Sequence, residues 1–220
     1  MIKKEKISIF IDGGNFHHLV IKTLAIQEIN FDFDAFAEFL ANDRIITNQG
    51  KRFYIGTVRE KIGDIRSKRA MSRQTRFFTF LKLLNWEIKT SKLRKRKEKI
   101  VIDDRIHDYK KILKAGIKSI TFERTREKGI DVKMATDLIA GSIDNKFSTA
   151  IIVSSDTDLI PAMDWVKYRK HKKIEYVGFS IISRKNDTVR PSQGMITHSD
   201  IQRILVASDL KPFIKNKSNN

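Results

Sequence analysis

The sequence predicts an α/β fold with a central, mostly parallel sheet, and three observations carry that prediction. Thr149-Ala150-Ile151-Ile152-Val153 and Ile7-Ser8-Ile9-Phe10-Ile11 are short, nearly unbroken apolar runs, the habit of strands buried on both faces. Each run stops at carboxylates, Asp12 after the first strand and Asp156 with Asp158 after the later one. Around them lie stretches whose apolar residues recur at spacings of three and four, so strands and helices alternate as they do about a parallel sheet. In open sheets of this kind ligands bind at the carboxyl ends of the strands, where these aspartates fall.

Taken in order, Gly13 and Gly14 permit a tight turn into a helix from about Asn15, with Phe16, Leu19, Val20 and Leu24 on one face. His17 and His18 read as surface residues of that helix. Phe31 to Leu40 is expected to be a second helix, followed by a polar loop through Gly50 and a strand from Phe53 to Val58. From Ile65 to Leu84 the pattern is helical, with Phe77, Phe80, Leu81 and Leu84 as a core stripe. Upstream, Arg66, Arg69, Arg73 and Arg76 fall in the same angular sector, so this helix should overhang its core with a cationic row. Trp86 to Thr90 reads as a strand. Lys89 to Lys99 holds seven Lys/Arg against one Glu, a solvated loop or one that contacts a polyanion.

Val101 to Ala115 is expected to be a helix ending at Gly116, and Ser119 to Phe122 a short strand. In the helix from Lys128 to about Ile143, Val132, Met134, Ala135, Leu138 and Ile139 form one arc. Asp131 falls within that arc at its N-terminal end, where a carboxylate needs a cap, a cation or a metal. Asp137 falls on the flank, so Asp131 ranks as the candidate ligand and Asp137 as a candidate just outside it. Pro161 fits only the first turn of a helix, with Asp158 as its expected N-cap, and this helix runs to Lys170 with Trp165 inward. A strand from Ile174 to Phe179, a terminal helix from Ile201 to Phe213 and a frayed tail from Lys215 complete the reading.

The 220 residues contain no Cys, which excludes disulfides, thiolate metal sites and cysteine nucleophiles. No apolar run approaches a membrane span, and the first residues lack a signal-peptide core, so a cytoplasmic protein without a membrane partner is expected. The net charge of +18 points to a polyanionic partner, nucleic acid first. Residues 51–128 hold 25 Lys/Arg against 9 Asp/Glu, while the remainder holds 19 against 17. The middle of the chain is therefore expected to handle the partner and the balanced flanks the chemistry.

Asp12, Asp131, Asp156 and Asp158 come from three segments and are expected at one sheet edge. Clustered like charges need a cation among them, and all-oxygen donors suit a hard divalent ion, Mg²⁺ or Mn²⁺. Such an ion supports phosphoryl chemistry by acidifying water and stabilising a leaving oxygen. No small-molecule cofactor is indicated.

Three segments then resemble a known family. Ile-Asp-Gly-Gly-Asn at 11–15, Lys-Gly-Ile-Asp-Val-Lys-Met-Ala-Thr-Asp-Leu at 128–138 and Ile-Val-Ser-Ser-Asp-Thr-Asp-Leu-Ile-Pro-Ala at 152–162 are similar to the three motifs of NYN domains, in particular the LabA-like branch of the PIN-like nuclease superfamily. The resemblance covers residues 7–58 and 127–182, with Ser155 standing where family members commonly have Gly. It implies a PIN-like Rossmannoid three-layer fold and a metal-dependent ribonuclease site carried by Asp12, Asn15, Asp131, Asp156 and Asp158. Length, charge distribution and the lack of a Pro/Ser/Gly linker predict that this is one domain over 1–214 with a basic insert at about 60–126 and a disordered tail at 215–220. RNA would be held by Arg66, Arg69, Arg73 and Arg76 and by Lys92, Arg94, Lys95, Arg96 and Lys97. A non-catalytic RNA-binding regulator of the same fold is the alternative, and a phosphatase or phospho-acceptor receiver a third; the receiver would want an Asp-Asp pair at its first strand, which is missing.

Overall fold

The computed structural model describes residues 4–58, 60, 62–92, 94–126, 129–182 and 188–215. Strand β1 (Lys6–Asp12) leads straight into a short helix α1 (Gly13–Phe16) that widens into a π turn at His17–Ile21. Helix α2 (Phe33–Ala41) is capped by Asp32, whose carboxylate accepts the Ala35 amide at 3.1 Å. β2 (Ile45–Thr57) then runs parallel to β1. It begins well before the expected Phe53 because the polar residues Thr47 to Gly50 form a bulge within the strand, between the pairs Ile7↔Ile46 and Ile9↔Lys51. At Gly50 a Cβ would lie 2.6 Å from the Thr47 carbonyl oxygen, so the bulge requires glycine there.

After α3 (Ile65–Leu83) come β3 (Glu87–Lys92), β4 (Arg94–Val101), α4 (Tyr109–Lys114) and β5 (Ser119–Arg126). Two expectations are corrected here. Within the basic stretch Lys92 to Lys99, the described residues are not a loop: Lys92 ends β3, and β4 pairs antiparallel with β5 from Arg94↔Arg126 to Val101↔Ser119. That pairing also takes Val101 out of the expected 101–115 helix. Turns through Asp103–Asp108, with Asp108 at φ 61°, leave only Tyr109–Lys114 helical. The basic region 60–126 therefore divides, α3 and β3 being integral to the main layers while β4 and β5 form a separate two-stranded ribbon.

Helix α5 (Ile130–Ile143), β6 (Thr149–Val153), α6 (Ile160–Lys170), β7 (Lys173–Ile182), β8 (Thr188–Val189), α7 (Gln193–His198), β9 (Ile201–Val206) and α8 (Ala207–Leu210) follow. The expected terminal helix at Ile201–Phe213 is thus a strand over Ile201–Val206, and only Ala207–Leu210 and the 3₁₀ turn Lys211–Phe213 are helical. Its apolar spacing suits either element, and pairing decides: β9 lies parallel to β7 from Glu175↔Ile201 to Ser180↔Val206, with Asp200 accepting the Ile174 amide at 2.8 Å. Lys215 donates its amide to the Asn30 carbonyl at 2.8 Å, and the rest of the expected tail, 216–220, lies outside the described residues.

The main sheet runs β3-β2-β1-β6-β7-β9, all parallel, with β8 antiparallel on the end of β7. Helices cover both faces, giving a three-layer α/β architecture. On one face Ile7, Ile9 and Ile11 pack with a phenylalanine-rich cluster from α1, α2 and α3, in which Phe16, Phe31, Phe33 and Phe36 are fully buried. On the other, Phe10, Tyr54 and Ile152 pack against α5 and α6 through Met134, Leu138, Met163 and Val166. Among the described residues no helix is long and apolar enough to cross a membrane.

Candidate active site

The strand order reverses between β1 and β6: the chain moves from β1 outward through β2 to β3, then returns to place β6 on the other side of β1. Helices diverge from such a point and leave a crevice at the carboxyl ends of the two strands. Asp12 ends β1 there, and Asp156 follows the end of β6 by three residues.

Asp12 is 7% exposed and caps α1, accepting the Asn15 amide at 2.9 Å and the Ser154 hydroxyl at 3.1 Å. Burial pushes its carboxyl up to about 6, opposed by those two hydrogen bonds and reinforced by the charges of Asp131 and Asp156. Ser154 in turn accepts the Asp156 amide at 3.1 Å, so one buried hydroxyl ties the two aspartates together. Sequence reading passed over Ser154, although a small polar residue closing an apolar strand just before a carboxylate was its signal. Asn15 joins the same loops from the other side, its Oδ1 accepting the Ser155 amide at 3.1 Å and hydroxyl at 3.2 Å. The side chain that departs from the family's usual Gly is thereby hydrogen-bonded within the site.

The expected cap at Asp158 is corrected. Asp156 accepts the Asp158 amide at 2.9 Å and caps a 3₁₀ turn at Thr157–Leu159, while α6 begins at Ile160 with Pro161 in its first turn. The extra turn carries Asp158 outward, where it is exposed. Asp131 sits in the first turn of α5, entered through Gly129 at φ 85°, a conformation that favours glycine. Its carboxyl is raised by partial burial and then by the charges of Asp156 and Asp158.

Asp12, Asp131 and Asp156 each offer a carboxylate oxygen, and these atoms lie within 4.8 Å of one another. Asp137 is not with them. It accepts the Tyr54 hydroxyl at 2.8 Å and stands 3.7 Å from Lys89 and 4.0 Å from Arg52. Three convergent carboxylates, with two of the carboxyl groups raised, are a donor set that a hard divalent cation fits. Its charge would relieve the repulsion that the three impose on each other.

Arg66, Arg69, Arg73 and Arg76 are all exposed on α3. They are not part of the core: upstream of Phe77 and Leu81 the half-buried residues of α3 are Ser67, Ala70, Met71 and Gln74, and the arginines lie beside them. Gln74 bonds both ends of the chain leaving β2, accepting the Val58 amide at 2.8 Å and donating to the Gly56 carbonyl at 2.9 Å. A polar residue can therefore take the inward position, which periodicity of apolar residues could not reveal. Of the basic run, Arg96 and Lys97 are exposed on the ribbon; Lys92, Arg94 and Lys95 are placed by their backbone in β3 and β4.

The sequence model of the NYN domain matches residues 6–196. No curated protein matches the chain. Among solved structures, a protein of unknown function from Vibrio parahaemolyticus is similar over 93% of this chain and 95% of its own, with a TM-score of 0.54 and 18% identity, a likeness of fold.

Proposed function

This chain belongs to the NYN domain family, whose members are generally nucleases of the PIN-like superfamily, and on that premise we propose that it is a Mg²⁺- or Mn²⁺-dependent ribonuclease hydrolysing RNA phosphodiester bonds. The observation that carries this reading is the meeting of three carboxylates from β1, α5 and the turn after β6 within 4.8 Å at the reversal of strand order. Asp12, Asp131 and Asp156 would hold the divalent cation, which when bound makes an attacking water more acidic and offsets charge at the phosphate. Asp158 adds negative charge at the mouth of the site. Ser154 and the Asn15 amide keep the Asp12 carboxylate oriented, and Ser154 holds the backbone of Asp156 while the Asp158 amide orients its carboxylate, so little reorganisation is needed on loading. The exposed arginines of α3 and the basic ribbon draw the RNA backbone to the crevice.

The test is incubation of the purified protein with RNA in Mg²⁺, in Mn²⁺ and in EDTA, with the ends mapped. Cleavage that EDTA stops and Asp156→Asn abolishes supports the reading. RNA binding without turnover in either metal would replace it with a non-catalytic regulator.

A further inference from the structure

The β4–β5 ribbon carries positive charge on both of its faces. Residues directly opposed across an antiparallel pair share a face, and neighbours along a strand alternate. Arg96 is registered opposite Arg124, and both are exposed on one face. Lys97 and Lys99, also exposed, belong to the other. One step further along the same face, the backbones of Arg94 and Arg126 are registered opposite each other. Like charges directly opposed destabilise a sheet, and a two-stranded ribbon is marginal even without them. Glu98 stands 3.7 Å from Arg124 and offsets one of these charges, and Glu123 is registered opposite Lys97, yet each face keeps more cations than anions, an excess that a polyanion would neutralise.

The charge is also graded. The far end of the ribbon has Ile100↔Ile120 and Val101↔Ser119, while the cationic pairs lie at the end that returns to the acidic site. From Arg126 to Asp131 the chain has five Cα steps, a reach of no more than about 19 Å. A single strand of RNA following this ribbon would meet one face and leave the other's cations unused. Two phosphate backbones on either side of a groove would meet both.

We propose that the ribbon is a duplex-holding arm, seated between the two phosphate backbones of a base-paired RNA segment, so that the chain acts on structured RNA in preference to free single strands. The inference rests on the nuclease reading only for the polymer involved. A two-stranded ribbon with side chains on both faces is roughly 10 Å thick. The major groove of regular A-form RNA is too narrow for it, which selects a stem opened by a bulge or loop.

The experiment measures binding of the full chain, in EDTA, to a bulged RNA hairpin, a fully paired hairpin, an unstructured RNA of equal length and a DNA duplex. The bulged hairpin should bind about tenfold more tightly than the unstructured RNA and more tightly than the DNA. Arg96→Gln with Arg124→Gln, and separately Lys97→Gln with Lys99→Gln, should each weaken hairpin binding about tenfold. Each should also reduce the slope of log K against log salt by roughly 0.9 per lost phosphate contact. Binding of unstructured RNA should fall several-fold less than hairpin binding does, and the arginine variant, which loses a like-charge pair together with the exposed Arg124–Glu98 pair, should melt within about 2 °C of wild type. Equal affinity for hairpin and unstructured RNA, tighter binding of DNA, or dependence on one face alone would overturn the proposal. Cleavage with Mn²⁺ separates the two readings: hairpin binding that needs both faces, without cleavage of any RNA, sinks the nuclease and leaves the arm standing.

Discussion

At the scale of single residues, Asp12 and Asp156 behave differently because only one is buried. The Asp12 carboxyl is raised from 3.8 to about 6, so the folded protein holds that proton more tightly than the unfolded chain does. The linkage therefore runs against stability: as pH rises from about 4 through 6 the metal-free protein loses about 3 kcal/mol, the free-energy equivalent of the shift. Asp12→Asn carries no such charge. In EDTA it should melt above wild type at pH 7.5, with the gap closing toward pH 4, in thermal unfolding followed across pH; a gap that does not change with pH would refute the assignment. Cation affinity should rise up to about pH 6 and level off above it, since binding displaces that proton. For Asp156→Asn the Oδ1 that accepts the Asp158 amide is retained. Its melting temperature should therefore stay within about 2 °C of wild type while cleavage is lost. A marked fall in melting without metal would make Asp156 a structural cap.

At the scale of elements, α3 shows how a helix can be seated by a polar residue. The arginine row from 66 to 76 is about 15 Å long, enough to follow two or three phosphates. Arg69→Gln with Arg73→Gln should weaken binding of single-stranded RNA whatever its sequence and flatten the salt slope by roughly 0.7 per lost contact; an unchanged slope with normal affinity removes the row from the RNA path. Gln74→Ala leaves the Val58 amide and the Gly56 carbonyl without their partner and should cost about 1–2 kcal/mol, read as a lower denaturation midpoint. Were the variant as stable as wild type, α3 would be held by its apolar contacts, Phe77 and Leu81 foremost.

For the molecule as a whole, the edge opposite the active site is tied by a buried ion triad. Glu175, fully buried on β7, stands 2.7 Å from Arg44 before β2 and 2.7 Å from Arg203 on β9. Glu175→Ala strands two arginines and should cost about 3–5 kcal/mol in chemical denaturation, with divalent-cation affinity of the folded protein unchanged. A cost below about 1 kcal/mol would show that water reaches the site. This triad explains in part why the last strand escaped the sequence reading: Ile201 and Ile204 have neighbours at helical spacing, but Arg203 and Asp200 have their partners on β7, some 25 residues earlier. The same limit applies to the ribbon, since a run of lysines and arginines reads as a loop until an opposing strand is in register. By itself the sequence determined the parallel α/β class and the arrival of Asp12 and Asp156 at one edge, because buried central strands write their burial into consecutive residues. Only the tertiary structure decided that Asp131 joins them within 4.8 Å while Asp137 turns to Tyr54, and that Ser154 lies between. Helical phase depends on where the neighbouring strand packs, and a hydrogen bond between loops 142 residues apart leaves no periodic trace in the chain.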